Sequence, residues 1–325
     1  MAELRVGIDV SPLELTEAGT ARYLRNLIAG LEGVDVRRYS LPGRSRVAKV
    51  YRDTAWYLGT LPRKAARDRV DVVHCPAHRG PLRSQVPLVL TVHDLAVLRH
   101  PETFNRWTRR YSRLFLPRVA RAAERVIAVS AFTGREAVEL LGVDESKVRV
   151  VPHGVAPPFG PYGPAAGGDY VLAVGTLEPR KNLPRLLVAA EKAGVELKVV
   201  GTHGWGDVDV DSIGFVDDEE LARLYRGASC LVYASLYEGF GLPVLEAMAC
   251  GTPVVTSNTG ALAEIGDGAA VLVDPLDVDS IAAGIREARG RRDELREAGL
   301  ARAGRFRWET AAAQTIEVYR EAAAG

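Results

Sequence analysis

The chain has 325 residues, 47% of them apolar and 26% charged, with no low-complexity tract, a composition that fits two globular domains with sizeable cores and excludes a disordered or fibrous protein. Its net charge of +1 conceals an asymmetry: residues 1–155 carry 26 Lys/Arg against 16 Asp/Glu, whereas residues 156–325 carry 16 against 25. Three scattered cysteines, Cys75, Cys230 and Cys250, argue against a disulfide scaffold. The opening Met-Ala-Glu-Leu-Arg-Val-Gly lacks a basic start and apolar core, and no run approaches the ~18 apolar residues of a membrane span. A reduced, cytoplasmic protein is the expectation.

Apolar runs at 5–10, 70–74, 88–92, 126–129 and 148–151 alternate with helical patterns, which predicts a parallel sheet covered by helices. Between Pro152 and Gly168 stand five prolines and five glycines without apolar periodicity, and this stretch reads as a linker. A second alternating series follows at 170–174, 197–200, 230–233, 253–256 and 270–273, and a last helix at 308–323. The expected fold class is therefore α/β, two Rossmann-like doubly wound domains, with 1–155 first, a linker at 156–168, and 169–307 second.

Ligands bind open parallel sheets at the carboxyl ends of their strands, so the residues just after each run are the candidates. After the first run, Glu17-Ala-Gly19-Thr-Ala-Arg22-Tyr23 opens a helix whose amides can approach a phosphate. It is not the G-x-G-x-x-G dinucleotide pattern, so a nicotinamide enzyme loses its main support. His74, Cys75 and His78 are metal-ligand types, but no second cluster completes a site and Pro76 favours a rigid strand exit. Thr91-Val-His93-Asp94 ends another run; by itself it also fits a histidine satisfied by the adjacent aspartate. Eight basic residues crowd between Arg99 and Arg125 among Phe104, Trp107, Tyr111 and Phe115, a surface suited to anionic lipid or a phosphorylated acceptor, or a solvated arginine-rich face. Ser130 suits a helix N-cap, and His153-Gly154 a hinge.

In the second half, Gly175-Thr-Leu-Glu-Pro-Arg180-Lys181-Asn182 sets two adjacent cations before a helix expected near Leu183, a combination suited to a diphosphate. Asp207-Val-Asp209-Val-Asp211 lacks the glycine and glutamate of a calcium loop and reads as an exposed acidic connection. The most informative stretch is Glu238-Gly239-Phe240-Gly241-Leu242-Pro243-Val-Leu-Glu246. It sets two carboxylates around a glycine loop whose amides face outward at a helix start, an arrangement suited to a sugar nucleotide.

With these motifs the chain resembles the retaining glycosyltransferases of family 4, and residues 234–258 look most like the mannosyltransferase-type members. The resemblance implies the GT-B fold, two domains facing across a cleft, with the C-terminal helix 308–325 crossing back to the first. It implies a metal-independent enzyme that uses no cofactor and takes a nucleoside diphosphate sugar, GDP-mannose or a UDP-sugar, as co-substrate. In that family the first glutamate of the E-x7-E element reaches the donor sugar and the second the ribose, roles that fall on Glu238 and Glu246. An Arg and a Lys stabilise the leaving diphosphate, matching Arg180 and Lys181. His93 would face the donor sugar and Asp94 the acceptor side. Gly19, Gly175, the 239–242 loop and Val216, beside Phe215 in the expected base pocket, would complete the donor site. Relatives often have a glycine pair where Ala18-Gly19 stands here, Asn-Gly where His153-Gly154 stands, and more helix between the Gly204-Trp205 turn and Gly214. The acceptor, a glycan, lipid-linked saccharide or small metabolite, stays open, as does contact of the basic first domain with an anionic inner membrane face. A GT-B epimerase or hydrolase, or a catalytically idle partner subunit, are the alternatives.

Overall fold

In the computed structural model, which describes residues 3–15, 19–43, 45–204, 206 and 209–325, the chain forms two compact units, Met1–Gly154 with Trp308–Gly325, and Val155–Arg307. The first is built on β1 (Leu4–Asp9), β2 (Val34–Tyr39), β3 (Val72–Cys75), β4 (Leu88–Val92), β5 (Arg125–Ala128) and β6 (Val148–Val150), all parallel, in the order β2-β1-β3-β4-β5-β6. The second holds β7 (Tyr170–Val174), β8 (Glu196–Val200), β9 (Cys230–Tyr233), β10 (Val254–Ser257) and β11 (Val271–Val273), also parallel, ordered β11-β10-β9-β7-β8. Each sheet reverses its winding once, between β1 and β3 in one unit and between β7 and β9 in the other. A crevice opens at such a reversal because the flanking connections leave toward opposite faces.

The runs 88–92, 170–174 and 230–233 coincide with β4, β7 and β9, whose residues are almost wholly buried, as central parallel strands require. The strand β2 escaped the sequence reading. It is an edge strand, Arg37 and Arg38 are exposed, and it therefore has no continuous apolar run. Residues 156–168, expected as a linker, pack within the second unit. Ala166 N–H donates to the Arg223 carbonyl (3.0 Å), and the Arg226 guanidinium to that of Pro164 (2.7 Å). Ser130 caps the helix Ala131–Leu141 by accepting from Thr133 N–H at 3.0 Å.

The last helix, Trp308–Ala324, belongs to the first unit and is held there by a buried polar chain. His74, fully enclosed at the end of β3, hydrogen-bonds the Tyr319 hydroxyl through Nδ1 (2.7 Å) and the Thr91 hydroxyl through Nε2 (2.8 Å). Tyr23 reaches the same Thr91 oxygen at 3.2 Å. This uses both ring nitrogens of His74 in packing, so no nitrogen remains for a metal. Above it, Tyr23, His93, His153 and Trp308 form an aromatic cluster with centroids 4.8–5.5 Å apart along the Tyr23–His93, Tyr23–His153, His93–His153 and His153–Trp308 contacts.

Burial holds all three imidazoles neutral. It brings His74 down to about 3 with help from His93, His93 down to about 4 with help from His78, and His153 well below the ordinary value. The unfolded chain takes up these protons near pH 6.5, so the stabilisation is full above that pH and is lost as pH falls toward the folded values. Urea unfolding followed by Trp fluorescence is expected to show a loss of about 2 kcal/mol for each of His74 and His93 between about pH 7.5 and about pH 5, with His153 adding a loss of the same sign. His74→Gln should remove one ring's share of that acid dependence; an unchanged slope would contradict the neutral buried His74.

Candidate functional site

The carboxyl ends of β7 and β9 bring Arg180, Lys181 and Glu238 together at the sheet reversal. After β7 the chain turns through Gly175, whose φ of 145° belongs to glycine, and a Cβ there would stand 3.1 Å from the Lys181 Cε. A tight turn at Pro179–Lys181 then delivers both cations ahead of the helix Leu183–Ala193. Asn182, at φ 62°, closes the turn without capping that helix. Its amide instead donates to the Ala234 carbonyl (3.0 Å) after β9 and the Pro275 carbonyl (2.7 Å) after β11. The Leu236 N–H donates to the Arg180 carbonyl (2.9 Å), tying the loops after β7 and β9.

Within this frame the Lys181 ammonium lies 2.6 Å from Glu238 Oε1, and Arg180 Nη1 lies 2.8 Å from Oε2. The three side chains are only 11–13% exposed. Tyr233, the last residue of β9, completes the cluster: its hydroxyl accepts from Lys181 at 2.6 Å and donates to Glu238 Oε1 at 3.0 Å. The Arg180 guanidinium also donates to the Tyr237 carbonyl and to buried Glu178. Burial alone would raise Glu238, but the Lys181 and Arg180 charges outweigh it and hold the carboxyl at about 2. Burial likewise opposes the Lys181 charge, and Glu238 outweighs it, so Lys181 is raised. Burial raises Glu178 despite Arg180. Tyr233 and Glu178, given no role from sequence, are thus part of the site. The strand-terminal hydroxyl at a carboxyl end was the available signal for Tyr233.

The glycine loop leads from Glu238 into the helix Leu242–Ala249. Gly241 is its N-cap at φ 116°, where a Cβ would meet Leu262 at 2.8 Å. Pro243 occupies the second helical position. Glu246 is buried one turn in, accepting from Tyr225 OH at 3.2 Å. Phe240 is turned into the core against Phe306. Val216 is half-buried in the connection after β8, and Phe215 beside it is 72% exposed.

In the first unit, Gly19 begins the helix Gly19–Gly30; Glu17 and Ala18 of its motif lie outside the described residues, as do Trp205 and Asp207. Asp209 and Asp211 are exposed. His93 is not held by its neighbour Asp94. Its Nε2–H donates to the Pro76 carbonyl (2.8 Å), while Asp94 accepts the Ala96 N–H (2.9 Å) at the start of the short helix Ala96–Arg99. His93 is thus a neutral ring with Nδ1 as its acceptor atom. Among the described residues no three His, Cys, Asp or Glu side chains gather as a metal site, and no helix is long and apolar enough to cross a membrane.

Two family descriptions match: "Glycosyl transferases group 1" over residues 160–299 and "Glycosyltransferase Family 4" over residues 7–157. O-antigen chain mannosyltransferase B of Escherichia coli is 34% identical over 291 residues, covering 79% of this chain and 76% of the relative. An MMP α-(1→4)-mannosyltransferase of Mycolicibacterium hassiacum is 32% identical over 305 residues, with 79% and 72% covered. A sucrose-phosphate synthase from Thermosynechococcus elongatus superposes with a TM-score of 0.76 at 20% identity, covering 98% of each chain, and the fold is GT-B.

Removing one member of a buried ion cluster leaves the others uncompensated. Lys181→Met is expected to lower the stability of the second unit by about 2–3 kcal/mol, less than a lone buried pair because Arg180 still neutralises Glu238. Hydrogen-exchange protection of β7 and β9 measures this; unaltered protection would show that the cluster contributes nothing.

Proposed function

The chain belongs to glycosyltransferase family 4, and from that premise we propose that it transfers a hexose, mannose in the first instance, from a nucleoside diphosphate sugar to a glycan hydroxyl, with retention and without a metal ion. The observation that carries the reading is the convergence of Arg180 and Lys181 on Glu238 at the sheet reversal between β7 and β9. Two fixed cations suit a diphosphate whose charge grows as the anomeric bond breaks, the task otherwise given to a divalent ion. Glu238, held ionised, suits the sugar hydroxyls and an oxocarbenium-like centre. Glu246, beyond the glycine loop, suits the ribose. The acceptor hydroxyl attacks on the leaving-group face, and its proton passes to the departing phosphate. His93, neutral at pH 7, serves as a hydrogen-bond partner for the sugar rather than as a cation. The mannose assignment is supported by the names of the two relatives above, both mannosyltransferases.

Calorimetric titration with GDP and UDP in EDTA is the first test. GDP binding that survives the chelator is expected; preference for UDP would move the donor to glucose or an N-acetylhexosamine, and binding of neither would favour an idle partner subunit. Glu238→Ala and Lys181→Ala are each expected to lower kcat about 10²–10³-fold, whereas Glu246→Ala chiefly weakens donor binding. A wild-type kcat in either of the first two would overturn the roles assigned. Free hexose released equally with and without acceptor would replace transfer by hydrolysis, and an inverted anomeric configuration in the product would exclude retention.

A further inference from the structure

The first sheet has its own reversal, between β1 and β3, and the loop that leaves β3 there carries a cluster the proposed chemistry does not use. This loop is fixed to the one after β4 at two points: the Pro76 carbonyl accepts from His93 Nε2 (2.8 Å), and His78 Nε2 donates to the Asp94 carbonyl (2.7 Å). Gly80 lets the loop lie against the helix Arg106–Ala122, since a Cβ there would stand 3.0 Å from Val119. Between these anchors stands Arg79.

Arg79 Nε pairs at 2.6 Å with one oxygen of Asp53, and the other oxygen of the same carboxylate accepts the Trp107 indole N–H at 3.1 Å. Asp53 is wholly enclosed, delivered by the π-helical segment Arg52–Thr60, whereas Arg79 is partly exposed and the Trp107 indole nearly half exposed. The Arg79 guanidinium also lies over the Tyr111 ring, 5.6 Å from its centroid. Among the described residues no further hydrogen bond or ion pair engages Arg79. One buried carboxylate thus fixes two groups that reach solvent: a guanidinium with donors to spare, and an indole whose only polar atom is already satisfied.

The charges of Arg79 and Asp53 cancel, so the pair offers hydrogen-bond donors without a net charge to attract an anion. The indole offers an apolar plane. A phosphate would gain little from a neutralised guanidinium and nothing from Trp107. An uncharged ring with hydroxyls at its rim and C–H groups on its face answers both, and a pyranose is such a ring. Arg79 follows Pro76 by three residues, at most about 11 Å of chain, so the pair stands on the same side of the sheet as His93 and close to it.

We propose that Trp107 and Arg79, held on Asp53, form the subsite for an uncharged hexose unit of the acceptor, the indole stacking on the ring and the guanidinium donating to its hydroxyls. The acceptor role rests on the transfer reading above; the binding itself does not.

The test is saturation-transfer NMR of the whole chain with the methyl glycosides of mannose, glucose and galactose at millimolar concentration, without donor. Saturable binding of at least one glycoside is expected, with the Trp107 indole N–H resonance, assigned through Trp107→Phe, moving on titration. Trp107→Phe keeps an aromatic plane and should hold the glycoside within about threefold of wild type, whereas Trp107→Ala should weaken it about tenfold or more. Arg79→Gln should also weaken it, and the Trp107 variants carry the test if Asp53 left uncompensated prevents folding. Inorganic phosphate should not compete. No glycoside bound, wild-type affinity in Trp107→Ala, or competition by phosphate would each overturn the subsite. Since binding is read without donor, such a failure with GDP or UDP still bound counts against the subsite alone and leaves the transfer reading standing.

Discussion

Two cations on adjacent residues, nearly removed from water, are stable only with an anion between them, and the second unit is organised to supply it. Glu238 comes from the loop after β9, Arg180 and Lys181 from the loop after β7, and the strands lie side by side because the sheet reverses its winding there. Holding the carboxylate within 3 Å of both cations requires the loops to be fixed to each other. The Leu236–Arg180 backbone bond and the Asn182 amide, spanning to Ala234 and Pro275, do that. Tyr233 fills the gap between ammonium and carboxylate with a group that both accepts and donates, so the ion cluster is hydrogen-bonded as well as neutralised.

The first unit solves a different problem. Its sheet is completed by a helix from the far end of the sequence, and what secures that helix at the sheet's carboxyl side is neutral: His74, Thr91, Tyr319 and Tyr23 share hydrogen bonds without an ion among them. His153 and Trp308, each next to one of the two places where the chain passes between units, lie tilted against one another, and His153 likewise against His93. The residue offered for the sugar is therefore seated on the same aromatic cluster that anchors both passages.

How much was legible in sequence follows from what each element depends on. Central strands buried on both faces announce themselves as apolar runs, so β4, β7 and β9 were read to the residue, whereas β2, an edge strand with exposed arginines, depends on pairing with β1 and leaves no such mark. The pairs of charged residues that form the site stood in recognisable motifs. Glu178 and Asn182 stood in the same stretch as the two cations and Tyr233 at the carboxyl end of an apolar run, but none announced its role: Asn182 and Tyr233 act only where separate loops meet, and Glu178 acts through Arg180. The bond from His93 to the Pro76 carbonyl was unreadable for the same reason, being a contact between the ends of two strands, whereas the sequence pointed to the adjacent Asp94.

The carboxylate resting on Arg180 and Lys181 has one more consequence. It occupies both cations, so a diphosphate that took them would have to displace it, and the exchange swaps one anion for another with little net gain in attraction. A ligand that also offers sugar hydroxyls to receive the displaced Glu238 would bind more tightly than a bare nucleoside diphosphate, which offers nothing to receive it. Selectivity for an intact donor over its spent remnant, and the ejection of that remnant once the sugar has gone, would then both be properties of a single side chain swinging between two partners.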